Sequence, residues 1–118
     1  MLKTKSFAFA IRIVRLFQFL QTVKKEYVLA KQLLRCGTSV GSMIREAEHA
    51  KSKADFIHKM AVAQKEINET IYCLEMLAAT DYLTLEQASS IQTDAIELLK
   101  LLTSTIKTAK NNLATNPK

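Results

Sequence analysis

Apolar residues recur along this chain in steps of three and four, the spacing of a helical face, and they do so in four separate runs. From Ser6 to Val23 two apolar stripes lie side by side. Phe7, Ala10, Val14 and Phe17 make one, and Phe9, Ile13, Leu16, Leu20 and Val23 the other. A second helix is predicted from Glu26 to about Ala50 on Leu29, Leu33, Gly37, Val40, Ile44 and Ala47. Ser52-Lys-Ala-Asp55 reads as a capping box that opens a third helix, ending near Thr80. Phe56, Met60, Ala63, Ile67, Thr70, Leu74 and Leu77 form its seam. Asp81-Tyr-Leu makes a short turn, and Thr84-Leu-Glu-Gln87 is a second capping box. The fourth helix runs to about Lys110 on Leu85, Ala88, Ile91, Ala95, Leu98, Leu102, Ile106 and Ala109.

Four long helices joined by short connections predict an all-α fold, an up-down-up-down antiparallel four-helix bundle. With two Gly and one Pro in 118 residues, there are few places to turn. Residues 1–110 are expected to form one domain, with 111–118 a frayed tail. The apolar surface exceeds what one such core can cover. Helix 1 is apolar around most of its circumference, and helix 3 carries a second stripe of His58, Val62, Lys65, Glu69, Tyr72 and Met76. A homo-oligomer is therefore predicted.

The most unusual stretch is Gln32 to Glu46, which holds both glycines, Gly37 and Gly41. Each costs about 1 kcal/mol of helix propensity relative to Ala. The apolar period nevertheless runs through them unbroken, so a continuous helix is expected, with the stacked glycines admitting a close neighbour. Gln32, Arg35, Cys36, Ser39, Met43 and Glu46 share one face of that helix. If helices 2 and 3 form an antiparallel hairpin, residues level with each other have numbers summing to about 103. Arg35 then lies within reach of Glu66 or Glu69, Glu46 within reach of Lys53 or Lys59, and Gln32 near Tyr72. These pairs are expected to set helix register more than to add net stability.

The net charge of +6 is unevenly spread. Residues 1–31 carry seven basic groups against the single acid Glu26, whereas residues 66–97 carry seven acids and no base. A basic protein is drawn to polyanions, nucleic acid first. Arg12, Arg15, Lys24, Lys25, Lys31 and Arg45 are the candidate RNA- or DNA-binding residues. The competing expectation is a protein-interaction adaptor whose basic strips are ordinary solvated faces. Phe19, set among basic residues, suits either a stacked base or, better, a partner-subunit contact.

Other chemistries find little support. Cys36 and Cys73 make no disulfide framework and no metal spacing, and read as buried reduced thiols of a cytoplasmic protein. Arg12 and Arg15 interrupt the apolar start, which excludes a signal peptide or a membrane span there. Glu46-Ala-Glu-His49 and Asp55-Phe-Ile-His58 match the Glu-x-x-His spacing of di-metal bundles only loosely. Such sites also need acids on the other two helices, and helix 1 has none. Neither cysteine has a histidine at its level, Ser39 and Ser42 sit in helix, and there is no Gly-rich phosphate loop. Tyr27, Tyr72 and Tyr82 read as ordinary bundle positions. Neither catalysis, a metal nor a cofactor is expected.

Residues 32–47, Gln-Leu-Leu-Arg-Cys-Gly-Thr-Ser-Val-Gly-Ser-Met-Ile-Arg-Glu-Ala, with Asp55-Phe-Ile-His-Lys59 and residues 63–74, Ala-Gln-Lys-Glu-Ile-Asn-Glu-Thr-Ile-Tyr-Cys-Leu, carry a resemblance. They are similar to a bacterial four-helix-bundle family named for proteins encoded in intervening sequences of 23S ribosomal RNA genes. The resemblance spans roughly residues 6–110. The family usually reads Arg-Ser-Gly-Thr-Ser-Val-Gly-Ala-Asn-Ile-Ala-Glu-Ala. Here Cys36 replaces the Ser, Met43 the Asn and Arg45 an Ala, and Cys73 stands where a Trp is common. The resemblance implies a ring-shaped homopentamer. Its relatives include accessory proteins of diversity-generating retroelements, which engage nucleic acid and a reverse transcriptase. By position, Gln32, Arg35, Ser39, Glu46, Lys65 and Glu69 match the family's recurrent polar set, and a structural role is expected for them, together with Glu66.

Overall fold

The computed structural model describes residues 1–115. Those residues form four helices: α1 (Leu2–Thr22), α2 (Val28–Ala47), α3 (Lys53–Ala79) and α4 (Leu85–Thr115). They lie side by side as a four-helix bundle 52 Å long and about 20 Å across. α1 packs on α2 and α4, and α3 packs on α2 and α4. α1 and α3 occupy the diagonal and make no backbone approach to each other among the described residues. Contacting residues of α2 and α3 run in opposite order: Glu46 meets Lys59, and Arg35 meets Glu66 and Glu69. No helix among the described residues is long and apolar enough to cross a membrane.

Helix ends follow local hydrogen-bonding chemistry. Ser52 caps α3 by accepting the Asp55 N–H, while the Asp55 carboxylate accepts from Lys51 N–H, one residue before the cap. At α4 the exchange is reciprocal: Gln87 N–H donates to Thr84 Oγ1 and Thr84 N–H donates to Gln87 Oε1. α3 ends in a Schellman turn. Asp81, at φ 70°, is left-handed, and Tyr82 N–H reaches back to the Leu77 carbonyl. α2 begins two residues later than its apolar period suggests. Lys25 is left-handed at φ 57°, which lets Glu26 N–H reach the Leu20 carbonyl. The Glu26 carboxylate then caps the first turn of α2 at Ala30 N–H. α2 also stops at Ala47, and residues 48–50 tighten into three-residue turns. α4 continues past Lys110 to Thr115. The expected frayed tail is thus helical over 111–115, and its remainder, 116–118, lies outside the described residues.

The core is built from one face of every helix. Phe9, Ile13, Leu16 and Leu20 of α1 meet Leu33, Val40 and Ile44 of α2, Ile67, Leu74 and Leu77 of α3, and Leu98 and Leu102 of α4. Three polar side chains are buried with them, Ser6, Glu66 and Thr70. Ser6 and Thr70 satisfy themselves on their own helices by donating to Lys3 and Glu66 carbonyls. Cys36 is fully buried, so it belongs to the core and not to the polar face of α2. Leu85 was expected in the seam of α4 but is 81% exposed. As the first residue of its helix it projects beyond the packed layer.

One face of α1 stays uncovered. Phe7 (53% exposed), Ile11 and Val14 form an outward apolar stripe, with Arg45 of α2 stacked on Phe7 at 5.4 Å. On the opposite side Tyr72 is exposed, with Val62 and Met76 half-buried on the same outer face of α3.

Candidate functional site

The bundle sorts the basic residues by whether an acid faces them. Arg12 donates to Asp94 at 2.7 Å and to Ser90, so it is bound to α4. The Arg12 guanidinium is thus engaged by side chains of α4 in this structure. Lys3 pairs with Glu48, and Lys5 with Glu97. Arg15, Lys24, Lys25, Lys31 and Arg45 are exposed and have no ion pair among the described residues.

Those five do not share one surface. Lys24, Lys25 and Lys31 gather at the junction of α1 and α2. Arg15 lies on α1 between two grooves, one shared with Phe19 and Glu86, the other lined by Phe7, Ile11 and Val14. Arg45 sits fourteen residues along α2 from Lys31, about 21 Å away. It faces an open groove of about 470 Å³ between α1 and α2, together with Ser42, Glu46 and His49. The six candidates therefore separate into a junction cluster, an engaged Arg12, an intermediate Arg15 and a distant Arg45.

The polar positions of α2 and α3 divide in the same way. Arg35 is the hub: Nη1 donates to Glu66 at 3.2 Å and Nη2 to Glu69 at 2.9 Å. The Glu66 side chain is 11% exposed and the Arg35 side chain 55%, so the pair runs from the core edge to solvent. Both carboxylates raise the Arg35 pKa, the Glu69 hydrogen bond contributing most. Ser39 donates to the Arg35 carbonyl at 2.6 Å, a bond within its own helix. Glu46 pairs with Lys59, which also faces Asp55. Gln32 and Lys65 are exposed. The seven positions thus form two separate ion clusters plus solvated residues, not one continuous network.

The Glu46-x-x-His49 spacing straddles the end of α2, which removes the helical geometry it requires. No group of three or more His, Cys, Asp or Glu side chains among the described residues is placed to hold a metal ion. Cys36 and Cys73 are buried and free, and their Sγ atoms approach the Leu33 and Leu29 carbonyls of α2. Burial pushes both thiols up, Cys73 to about 11, with Cys36 and Glu26 adding to its rise. Neither is a ready nucleophile at neutral pH.

Two exposed residues are absent from the predicted apolar stripes, Tyr27 and Ile11. Tyr27 is 51% exposed and, like Tyr72, does not occupy a packed bundle position, whereas Tyr82 packs on the core. Tyr27 precedes the buried register of Ala30 and Leu33 by three and six residues. Its place one residue before the helix, beyond the packed layer, turns it outward. Ile11 completes the stripe Phe7–Ile11–Val14–Gln18, whose steps of four, three and four were visible in the sequence.

Comparisons with known proteins bear on most of the chain. A family model described as 23S rRNA-intervening sequence protein matches residues 2–104. A solved crystal structure of a protein of unknown function from the S23 ribosomal protein family of Bacteroides thetaiotaomicron is 55% identical. It superposes with a TM-score of 0.90 over 91% of this chain and 99% of that one. A search of curated proteins finds no match. With its four-helix bundle and a family match covering nearly all of that bundle, the chain belongs to the family of 23S rRNA-intervening sequence proteins.

Proposed function

We propose that this protein is a non-enzymatic, cytoplasmic, homo-oligomeric bundle of up-down-up-down topology that binds RNA or DNA through repeated basic surfaces. The observation that carries the nucleic-acid reading is a local cluster of cations: Lys24, Lys25 and Lys31 at the α1–α2 junction are exposed with no ion pair among the described residues, whereas Lys3, Lys5, Arg12, Arg35 and Lys59 each pair with an acid. Self-association draws support from the outer stripes of α1 and α3. They face opposite sides of the bundle, so joining one copy's α1 stripe to the next copy's α3 stripe is a heterologous contact. Such contacts close into rings or run on as fibres, and a ring agrees with the homopentamer that the family resemblance implies. The opposite order of contacts between α2 and α3 supports the antiparallel topology.

The test is fluorescence anisotropy with labelled RNA and DNA across a salt series, together with light scattering. Binding should weaken with log salt at a slope of about −0.9 per duplex phosphate neutralised. The mass should be a fixed multiple of 13.3 kDa, and Ile11→Glu should lower it. Absence of binding at low salt would favour the alternative, a protein-interaction adaptor, which the exposed Phe7–Ile11–Val14 stripe would also serve. Co-purification tests a reverse transcriptase as partner.

A further inference from the structure

Granted the nucleic-acid binding proposed above, on which it rests, we infer that the α1–α2 junction is a stacking site for single-stranded nucleic acid, with Tyr27 as its platform. The junction combines three features that a phosphate-only surface does not need. Tyr27 presents half of its surface to solvent at the entrance to α2. Val23 and Val28, on either side in sequence, are likewise exposed, so an apolar patch lies open among charged groups. Lys24 and Lys25 lie between Val23 and Tyr27 in sequence, Lys31 follows Tyr27 by one helical turn, and none of the three has an ion-pair partner among the described residues.

The one acid within this segment, Glu26, accepts from Ala30 N–H and is outnumbered by the three lysines, so the junction keeps a net positive charge. The turn is ordered by its own hydrogen bonds, with Lys25 held left-handed and Glu26 N–H bonded to Leu20. Tyr27 and Lys31 are joined by the first backbone bond of α2, one turn apart, so the ring and an ammonium group lie on the same face. Phe19 is a poorer platform, since the Lys24 ammonium already sits 6.0 Å from its ring centre.

The chemistry selects the ligand. Lysines alone would suit any polyanion. An exposed aromatic ring flanked by valines offers its face to a base, and only an unpaired base can leave its neighbours to lie on it. A duplex would engage the lysines and leave the ring idle. The junction lies at one end of the bundle, beyond the Phe7–Ile11–Val14 stripe of α1, and would be repeated once in every copy of an assembled ring.

The experiment compares labelled oligo-dT and oligo-U strands with a blunt duplex of equal length, using the full chain. Single strands should bind more tightly than the duplex. Tyr27→Ala should weaken single-strand binding about tenfold, the loss of one base–aromatic stack, and leave duplex binding unchanged. Tyr27→Phe should retain it. Replacing Lys24 and Lys25 by Gln should weaken both ligands and flatten the salt slope. Tyr27→Trp supplies a direct readout, since the chain has no other Trp: stacking should quench its emission on saturation with oligo-dT. A Tyr27→Ala variant that folds and binds single strands as the parent does, or unquenched Trp emission at saturation, overturns the stacking site but leaves nucleic-acid binding standing. Preference for duplex does the same. No binding to either ligand at low salt overturns both, and points to a protein partner for the patch.

Discussion

A Cβ placed on Gly37 would lie 2.8 Å from both Cγ1 and Cγ2 of Ile13, closer than real side chains approach. Those atoms belong to a β-branched side chain that is completely buried, with no free end to swing aside. Gly37 therefore sets how closely α1 and α2 pack. Gly41, one turn on, faces Ser6 at an ordinary 3.4 Å. Gly37→Ala should destabilise the bundle by about 1–3 kcal/mol through overpacking, outweighing its gain of about 1 kcal/mol in helix propensity. Gly41→Ala should be neutral or stabilising by up to about 1 kcal/mol. Urea unfolding of the two variants checks the contrast, and equal effects would refute it.

Arg35→Ala leaves the nearly buried Glu66 carboxylate without its cation. Because Arg35 itself is half in water, the expected cost is about 1–2 kcal/mol, less than for a fully buried pair. Glu69→Ala removes the more exposed partner and should cost below about 1 kcal/mol. A double-mutant cycle on Arg35 and Glu66 should give a coupling energy that survives added salt better than the Arg35–Glu69 coupling.

The buried thiols predict a pH dependence of definite sign. The Cys73 pKa is raised from 9.0 to about 11 in the folded chain. Below 9 the thiol is protonated in both folded and unfolded states, and its contribution is fully present. Between about 9 and about 11 the unfolded chain releases a proton that the native chain keeps, so stability falls as pH rises. Cys73→Ala should flatten that part of the stability profile. At neutral pH, Ellman's reagent should titrate neither thiol in the native protein and both in guanidinium.

Lys25 holds a left-handed backbone at φ 57° that costs a residue with a Cβ about 1 kcal/mol. Lys25→Gly should raise the melting temperature by a few degrees while weakening binding to polyanions. Opposite signs in the two measurements identify a charge retained at some cost to stability. Thermal unfolding monitored by circular dichroism, beside anisotropy, reads both.

The periodicity of residues 6–110 determined the existence and order of four helices, because burying one face of each is the principal way such a chain stabilises itself. Both capping signals at Ser52 and Thr84 were local, and local chemistry kept them. The start of α2 near Val28 was less legible, since it depends on a left-handed Lys25 and on a cap supplied by the Glu26 side chain; α1 begins at Leu2 with no side-chain cap to mark it. Pairing between residues distant in sequence was partly open to inference: the level of Arg35 against Glu66 and Glu69 follows from helical rise once the hairpin is assumed. That Arg12 is taken by Asp94 does not follow, because the position of α4 relative to α1 depends on the packing of the whole core. The exposure of Tyr27 and the clustering of unpaired lysines beside it belong to the tertiary structure too. A single-residue pattern records which side of a helix is apolar; which neighbour covers that side, and which charges meet across it, is decided only when four helices compete for one interior.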